Sequence, residues 1–185
     1  MLTMEQAKKG KFIVIYGINN LGKSTQARLL VDRLTDAGIK GKNLKYPIYQ
    51  IKPSGVILNN YLRGGNTYEL NPREIQALFS LNRSQFEPEL KRLLDSGVNV
   101  IAEDYTGTGL AWGAANGFDI KYLKHVNSHL LKEDLAFLFY GNAFHDKINS
   151  GHKHEQDRHL SIISSQVHDQ LADEFKWIRV NANQP

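Results

Sequence analysis

Residues 17–24 read Gly-Ile-Asn-Asn-Leu-Gly-Lys-Ser, and no other stretch constrains the fold of this chain as tightly. The pattern is G-x-x-x-x-G-K-[ST] in full. Its glycines allow the backbone to curl closely with N–H groups turned inward. A helix starting behind such a loop aims its positive end at the same point. The flanking residues supply that setting. Lys11–Tyr16 is a short apolar run rich in β-branched and aromatic residues, the pattern of a buried parallel strand. Lys23–Ala37 places Ala27, Leu30, Val31 and Leu34 at helical spacing. Strand, glycine loop and helix in this order make a phosphate cradle. Lys23 is expected to reach the β- and γ-phosphates of ATP or a closely related nucleotide, and the Ser24 hydroxyl to ligate Mg²⁺. Gly17, Asn19, Asn20, Leu21, Gly22, Lys23, Ser24 and Thr25 are the candidate nucleotide contacts.

The rest of the chain repeats the alternation. Asn43–Tyr46 reads as a second strand ending at Pro47, and Pro53–Arg63 as a helix with proline in its first turn. Asn71-Pro72-Arg73-Glu74 is a helix start, with Asn as cap, Pro at N1 and Glu at N3. That helix is expected to run to Leu94, with Pro88 breaking or kinking it midway. Val98–Ala102 reads as a third strand, and Gly107–Ala115 and Asp119–His129 as helices. Leu135–Tyr140 is a fourth strand, Glu155–Phe175 a long helix and Trp177–Val180 a fifth strand. The implied class is α/β: one domain over residues 1–185, with five strands in a mainly parallel sheet and helices on both faces. Ligands of such sheets bind beyond the carboxyl ends of the strands. The third strand runs into Glu103 and Asp104 at such an end, where a carboxylate can hold Mg²⁺. Side-chain alternation sends the two acids in opposite directions, and Glu103 is the one expected at the metal.

Charge agrees with an anionic ligand near the amino terminus. Residues 1–65 carry eleven Lys or Arg against three acids, whereas residues 66–185 carry twelve against sixteen. The basic residues follow no RNP, KH or zinc-finger pattern, so nucleic acid is not an expected partner. No apolar run approaches the roughly 20 residues needed to span a bilayer, and the first twelve residues lack the apolar core of a secretory signal. Cysteine is absent, which removes disulfides and thiol nucleophiles and suits a reducing cytoplasm.

With the two sites placed, the chain resembles the thymidylate kinase (dTMP kinase) family of P-loop kinases from about Lys11 to Tyr140. Four segments carry the resemblance: Gly22-Lys23-Ser24-Thr25-Gln26; Lys45-Tyr46-Pro47, similar to the family's Arg-Phe-Pro; Leu78-Phe79-Ser80-Leu81-Asn82-Arg83; and Gly97 through Tyr105 to Gly109-Leu110-Ala111-Trp112. The resemblance implies a P-loop kinase fold with a small lid near residues 142–158, and transfer of the ATP γ-phosphoryl to dTMP with Mg²⁺. It also implies a homodimer. Phe79 would stack on thymine, and Arg83 would bind its edge or the monophosphate region. Tyr46, Pro47, Asp104 and Tyr105 would complete the acceptor site.

Two departures stand out. Glu103-Asp104 occupies the place of the family's Asp-Arg, which sets a like charge near an anionic acceptor. Tyr16-Gly17-Ile18-Asn19 replaces Glu-Gly-x-Asp and removes an acid associated with the sugar hydroxyl. The lid offers Lys147, Lys153 and Arg158 as cations, with Arg158 taken as catalytic beside Lys23 and Glu103. His145, His152, His154, His159 and His168 read as solvated lid and helix-surface residues. Two other readings stay open: a deoxynucleoside kinase using Glu103 or Asp104 as base, and a nucleotide-binding regulatory protein without turnover.

Overall fold

A computed structural model describes residues 9–144 and 158–184. Five strands form one all-parallel sheet: β1 Phe12–Tyr16, β2 Gly41–Lys45, β3 Asn99–Glu103, β4 Leu135–Tyr140 and β5 Ile178–Asn181. Their order is β2-β3-β1-β4-β5, so β1 lies at the centre. Ile15 pairs with Glu103 on one side and with Phe137 on the other. This register brings the end of β3 level with the start of the glycine loop.

Six helices are described: α1 Lys23–Asp36, α2 Ser54–Arg63, α3 Pro72–Asp95, α4 Thr106–Ala115, α5 Ile120–Val126 and α6 Arg158–Phe175. Strand alternation divides the core into two layers. Phe12, Val14 and Tyr16 face a cluster completed by Leu90 and Leu94 of α3, Leu110 and Ala111 of α4, and Leu171 of α6. Ile15 faces the other side, where Ala27, Leu30, Val31 and Leu34 of α1 cover it. Both faces are thus buried, as a parallel sheet requires.

Pro88 does not break α3, which runs unbroken for 24 residues. Proline forfeits one backbone hydrogen bond, but Leu90, Leu93 and Leu94 beyond it are buried in the core and hold the last turns in place. The start of α3 matches expectation: the Asn71 side chain accepts from the Arg73 and Glu74 N–H groups, and Glu74 returns a bond to the Asn71 N–H. Among the described residues, no helix is long and apolar enough to cross a membrane.

Candidate active site

The glycine loop between β1 and α1 has left-handed backbone at Gly17 (φ 131°), Asn20 (φ 62°) and Gly22 (φ 77°). These turns aim successive amides inward. None of the N–H groups from Ile18 to Ser24 donates a hydrogen bond among the described residues. Gly22 caps α1 without any side chain to satisfy the helix's first amides. The loop is an open anion nest with the positive end of α1 behind it. Lys23, 6% exposed, lies across it and donates to the carbonyls of Gly17 and Ile18 at 2.8 Å each.

The acids after β3 are arranged differently from expectation. β3 ends at Glu103, and Asp104 takes a left-handed conformation (φ 57°), so alternation stops between them. Both carboxylates face the loop. Glu103 is buried and accepts from the Ser24 hydroxyl at 2.6 Å. Asp104 lies 3.6 Å from the Lys23 ammonium and accepts from the Thr108 hydroxyl at 3.0 Å.

Lys45, at the end of β2, stands 3.2 Å from both Glu103 Oε2 and Ser24 Oγ. Burial pulls its pKa down, but the Glu103 and Asp104 carboxylates outweigh that and leave it raised. A cation resting against this pair of oxygens marks the place as cation-seeking. The donors also suit Mg²⁺, which takes one or two carboxylates and fills its shell with phosphate and water. No cluster of three His, Cys, Asp or Glu occurs among the described residues.

Beside the loop opens a cavity of about 510 Å³. It meets the phosphate end through Asn19, Lys45 and Asp104, and extends past Tyr46, Pro47, Phe79 and Arg83 to Trp112 and Phe118. Arg83 is 5% exposed and donates to Asn127 Oδ1 at 3.0 Å. Burial lowers its pKa, against the opposing pull of Tyr105. Gly109 makes room for it, since a Cβ there would come within 2.7 Å of Arg83 Nη2. The Tyr46 ring closes one wall and packs edgewise on Phe86; burial drives its phenol pKa up.

Two expected site residues sit elsewhere, and one expected surface residue is buried. Tyr105 is fully buried and does not line the cavity; its ring packs against Phe12 and lies 6.0 Å beneath the Arg83 guanidinium. It backs the cavity wall because the β3–α4 turn drives it into the core. Arg158 opens α6 as an exposed residue and is not among those lining the cavity. His168, expected on a helix surface, is 1% exposed. Its Nδ1 donates to the Ser164 carbonyl at 2.8 Å, and burial lowers its pKa to about 4. His159 is exposed as expected. Lys147, Lys153, His145, His152, His154 and most of the expected lid lie outside the described residues. Phe144, the last residue described before them, donates its N–H to the Asn20 carbonyl at 2.8 Å.

Sequence reasoning passed over Lys45, Gln76, Tyr49, Thr108 and Asn116, all of which line the cavity. A signal existed for two. Lys45 directly precedes Tyr46-Pro47, and Gln76 is one helical turn before Phe79.

A central parallel strand feeding an open amide nest, with a separate acceptor-sized cavity alongside, defines a P-loop nucleotide kinase. The thymidylate kinase family model matches residues 15–185. Thymidylate kinase of Plasmodium falciparum is 30% identical over 96% of this chain and 85% of its own length. That of Dictyostelium discoideum is 29% identical over 95% and 79%. Among solved structures, thymidylate kinase from Candida albicans superposes with a TM-score of 0.79 at 23% identity, covering 94% of this chain and 84% of its own, which establishes a shared fold. The chain belongs to the thymidylate kinase family.

Proposed function

We propose that the protein transfers the γ-phosphoryl group of ATP to dTMP, giving ADP and dTDP. The observation that carries this reading is the junction of loop and cavity: Lys23 and Ser24 on the phosphate side lie within ion-pair or hydrogen-bond reach of Asp104 and Lys45 on the cavity side. A donor phosphate in the nest and an acceptor phosphate at that end of the cavity are then neighbours, and positioning supplies much of the catalysis.

The free amides from Ile18 to Ser24 hold the donor phosphates. Lys23 leaves the Gly17 and Ile18 carbonyls for the phosphoryl oxygens, where its charge counts most as negative charge spreads in the transition state. Lys45 is placed to meet the acceptor phosphate, the one basic side chain of the phosphate end contributed by β2. Phe79 offers an aromatic face to the base, and Arg83 a fork of donors to its carbonyl oxygens. Ser24 and Glu103 would hold Mg²⁺, which when bound neutralises phosphate charge and orients the donor. The acceptor oxygen is already ionised at neutral pH, so no general base is required.

Purified protein with Mg·ATP should convert dTMP to dTDP. Thymidine phosphorylation in place of dTMP phosphorylation would favour a nucleoside kinase, and tight ATP binding without product a regulatory role. Lys23→Ala should lower turnover by on the order of 100-fold or more. Unchanged turnover would remove Lys23 from the mechanism.

A further inference from the structure

We propose that Gln76 is a specificity-determining residue of the acceptor site, whose carboxamide hydrogen-bonds the polar edge of a pyrimidine lying against Phe79. The inference rests on the acceptor reading above and adds a residue to it.

Gln76 lines the cavity from α3 and is only 9% exposed. Its carboxamide makes no hydrogen bond among the described residues, and of the cavity's other polar groups Tyr46 Oη and Arg83 Nε also lack a partner, while Asn82, Arg83 Nη1 and Thr108 are engaged. Asn82 accepts from the Ile48 N–H and donates to the Ile48 carbonyl and the Ser54 hydroxyl. Arg83 donates to Asn127, and Thr108 to Asp104. Asn116 donates an Nδ2–H to the Trp112 carbonyl at 2.8 Å, which leaves its Oδ1 without a bond among the described residues. The Gln76 carboxamide is not among the polar atoms sealed from solvent without a partner, so both of its functions open on the cavity and are available to a ligand.

Position and chemistry select the ligand. Gln76 precedes Phe79 by three residues and Arg83 by seven, so the three form one strip along α3. A ring resting on Phe79 meets Arg83 on one side and Gln76 on the other. Arg83 carries donors only and cannot accept the N–H of a pyrimidine-2,4-dione. A carboxamide presents an acceptor and a donor side by side, which matches the adjacent N–H and C=O of that ring edge. The edge is the same in dTMP and dUMP, so the contact reads the dione and not the methyl group.

The test compares wild type with Gln76→Met, which keeps length and helix propensity but removes both hydrogen-bonding functions. Initial rates with dTMP and dUMP are measured alongside thermal melts with and without dTMP. KM for both acceptors should rise about 10-fold and by the same factor, with kcat within about two-fold, the pattern of lost ground-state binding. The ligand-free melting temperature should stay level, because the amide makes no bond within the protein for the substitution to break, and the shift produced by dTMP should shrink. An unchanged KM, or a joint fall of kcat and ligand-free melting temperature, overturns the inference. Wild type that forms no dTDP from dTMP would instead overturn the acceptor assignment itself, and this inference with it.

Discussion

Asp104 sets an anion beside the phosphate loop, where the resemblance to thymidylate kinases leads one to expect arginine. The residue accepts a left-handed backbone, which Asp tolerates better than most side chains, and its carboxylate lies 3.6 Å from the lysine that should serve the transferring phosphoryl group. An anion there draws off part of the Lys23 field and repels an acceptor phosphate. Lys45, held by Glu103, supplies compensating charge from the other side. Replacing the anion with a cation, Asp104→Arg, should raise kcat/KM for dTMP by about 10-fold, the worth of one charge-assisted hydrogen bond. Steady-state rates over a range of dTMP concentrations check this. A large loss would instead mean that the Asp104–Lys23 pair holds the lysine in place. The departure itself was plain in the sequence, but its direction was not. Strict alternation separates Glu103 from Asp104, and only the end of β3 between them turns both toward the loop.

Among the elements, α3 carries the largest share of the acceptor wall: Gln76, Phe79, Asn82 and Arg83 all lie on it. Its start was legible because capping is local chemistry. Asn71 and Glu74 satisfy each other's backbone donors within one turn. Asn71→Ala should therefore cost about 1 kcal/mol of stability, measurable as a lower urea midpoint, with kcat for dTMP nearly unchanged since Asn71 itself does not line the cavity. A midpoint equal to wild type would show that Pro72 alone sets the helix start. The unbroken passage through Pro88 was not legible, because it depends on Leu90, Leu93 and Leu94 finding their places in the core. Arg83 is likewise fixed by another element: α4 approaches closely enough only because Gly109 has no side chain.

For the whole molecule, His168 links stability to pH. Its pKa falls from 6.5 to about 4 chiefly through burial; the Ser164 carbonyl and Asp104 oppose the fall, and the Lys23 charge adds to it. The folded state thus resists a proton that the unfolded chain accepts below about pH 6.5. This contribution is fully present above that value and declines as pH drops from about 6.5 toward 4. Between pH 8 and pH 5 the loss from this group should be about 2 kcal/mol. Urea unfolding at both pH values checks it, with His168→Gln expected to show a smaller difference than wild type. Equal pH dependence in the two proteins would mean that His168 is protonated within the fold.

The amino-acid order alone determined the succession of strands and helices, the phosphate loop, and the presence of Phe79 and Arg83 on one helix. Each of these is set by spacing along a few consecutive turns or strand residues, where backbone geometry converts sequence distance directly into direction. Tertiary packing decided the strand order β2-β3-β1-β4-β5 and the burial of His168 and Tyr105. It also set partners such as Tyr16 Oη and Glu133, 117 residues apart and 2.9 Å from one another. Whether a polar group meets water or another side chain depends on which distant segment covers it, and that is a property of the assembled layers rather than of local spacing.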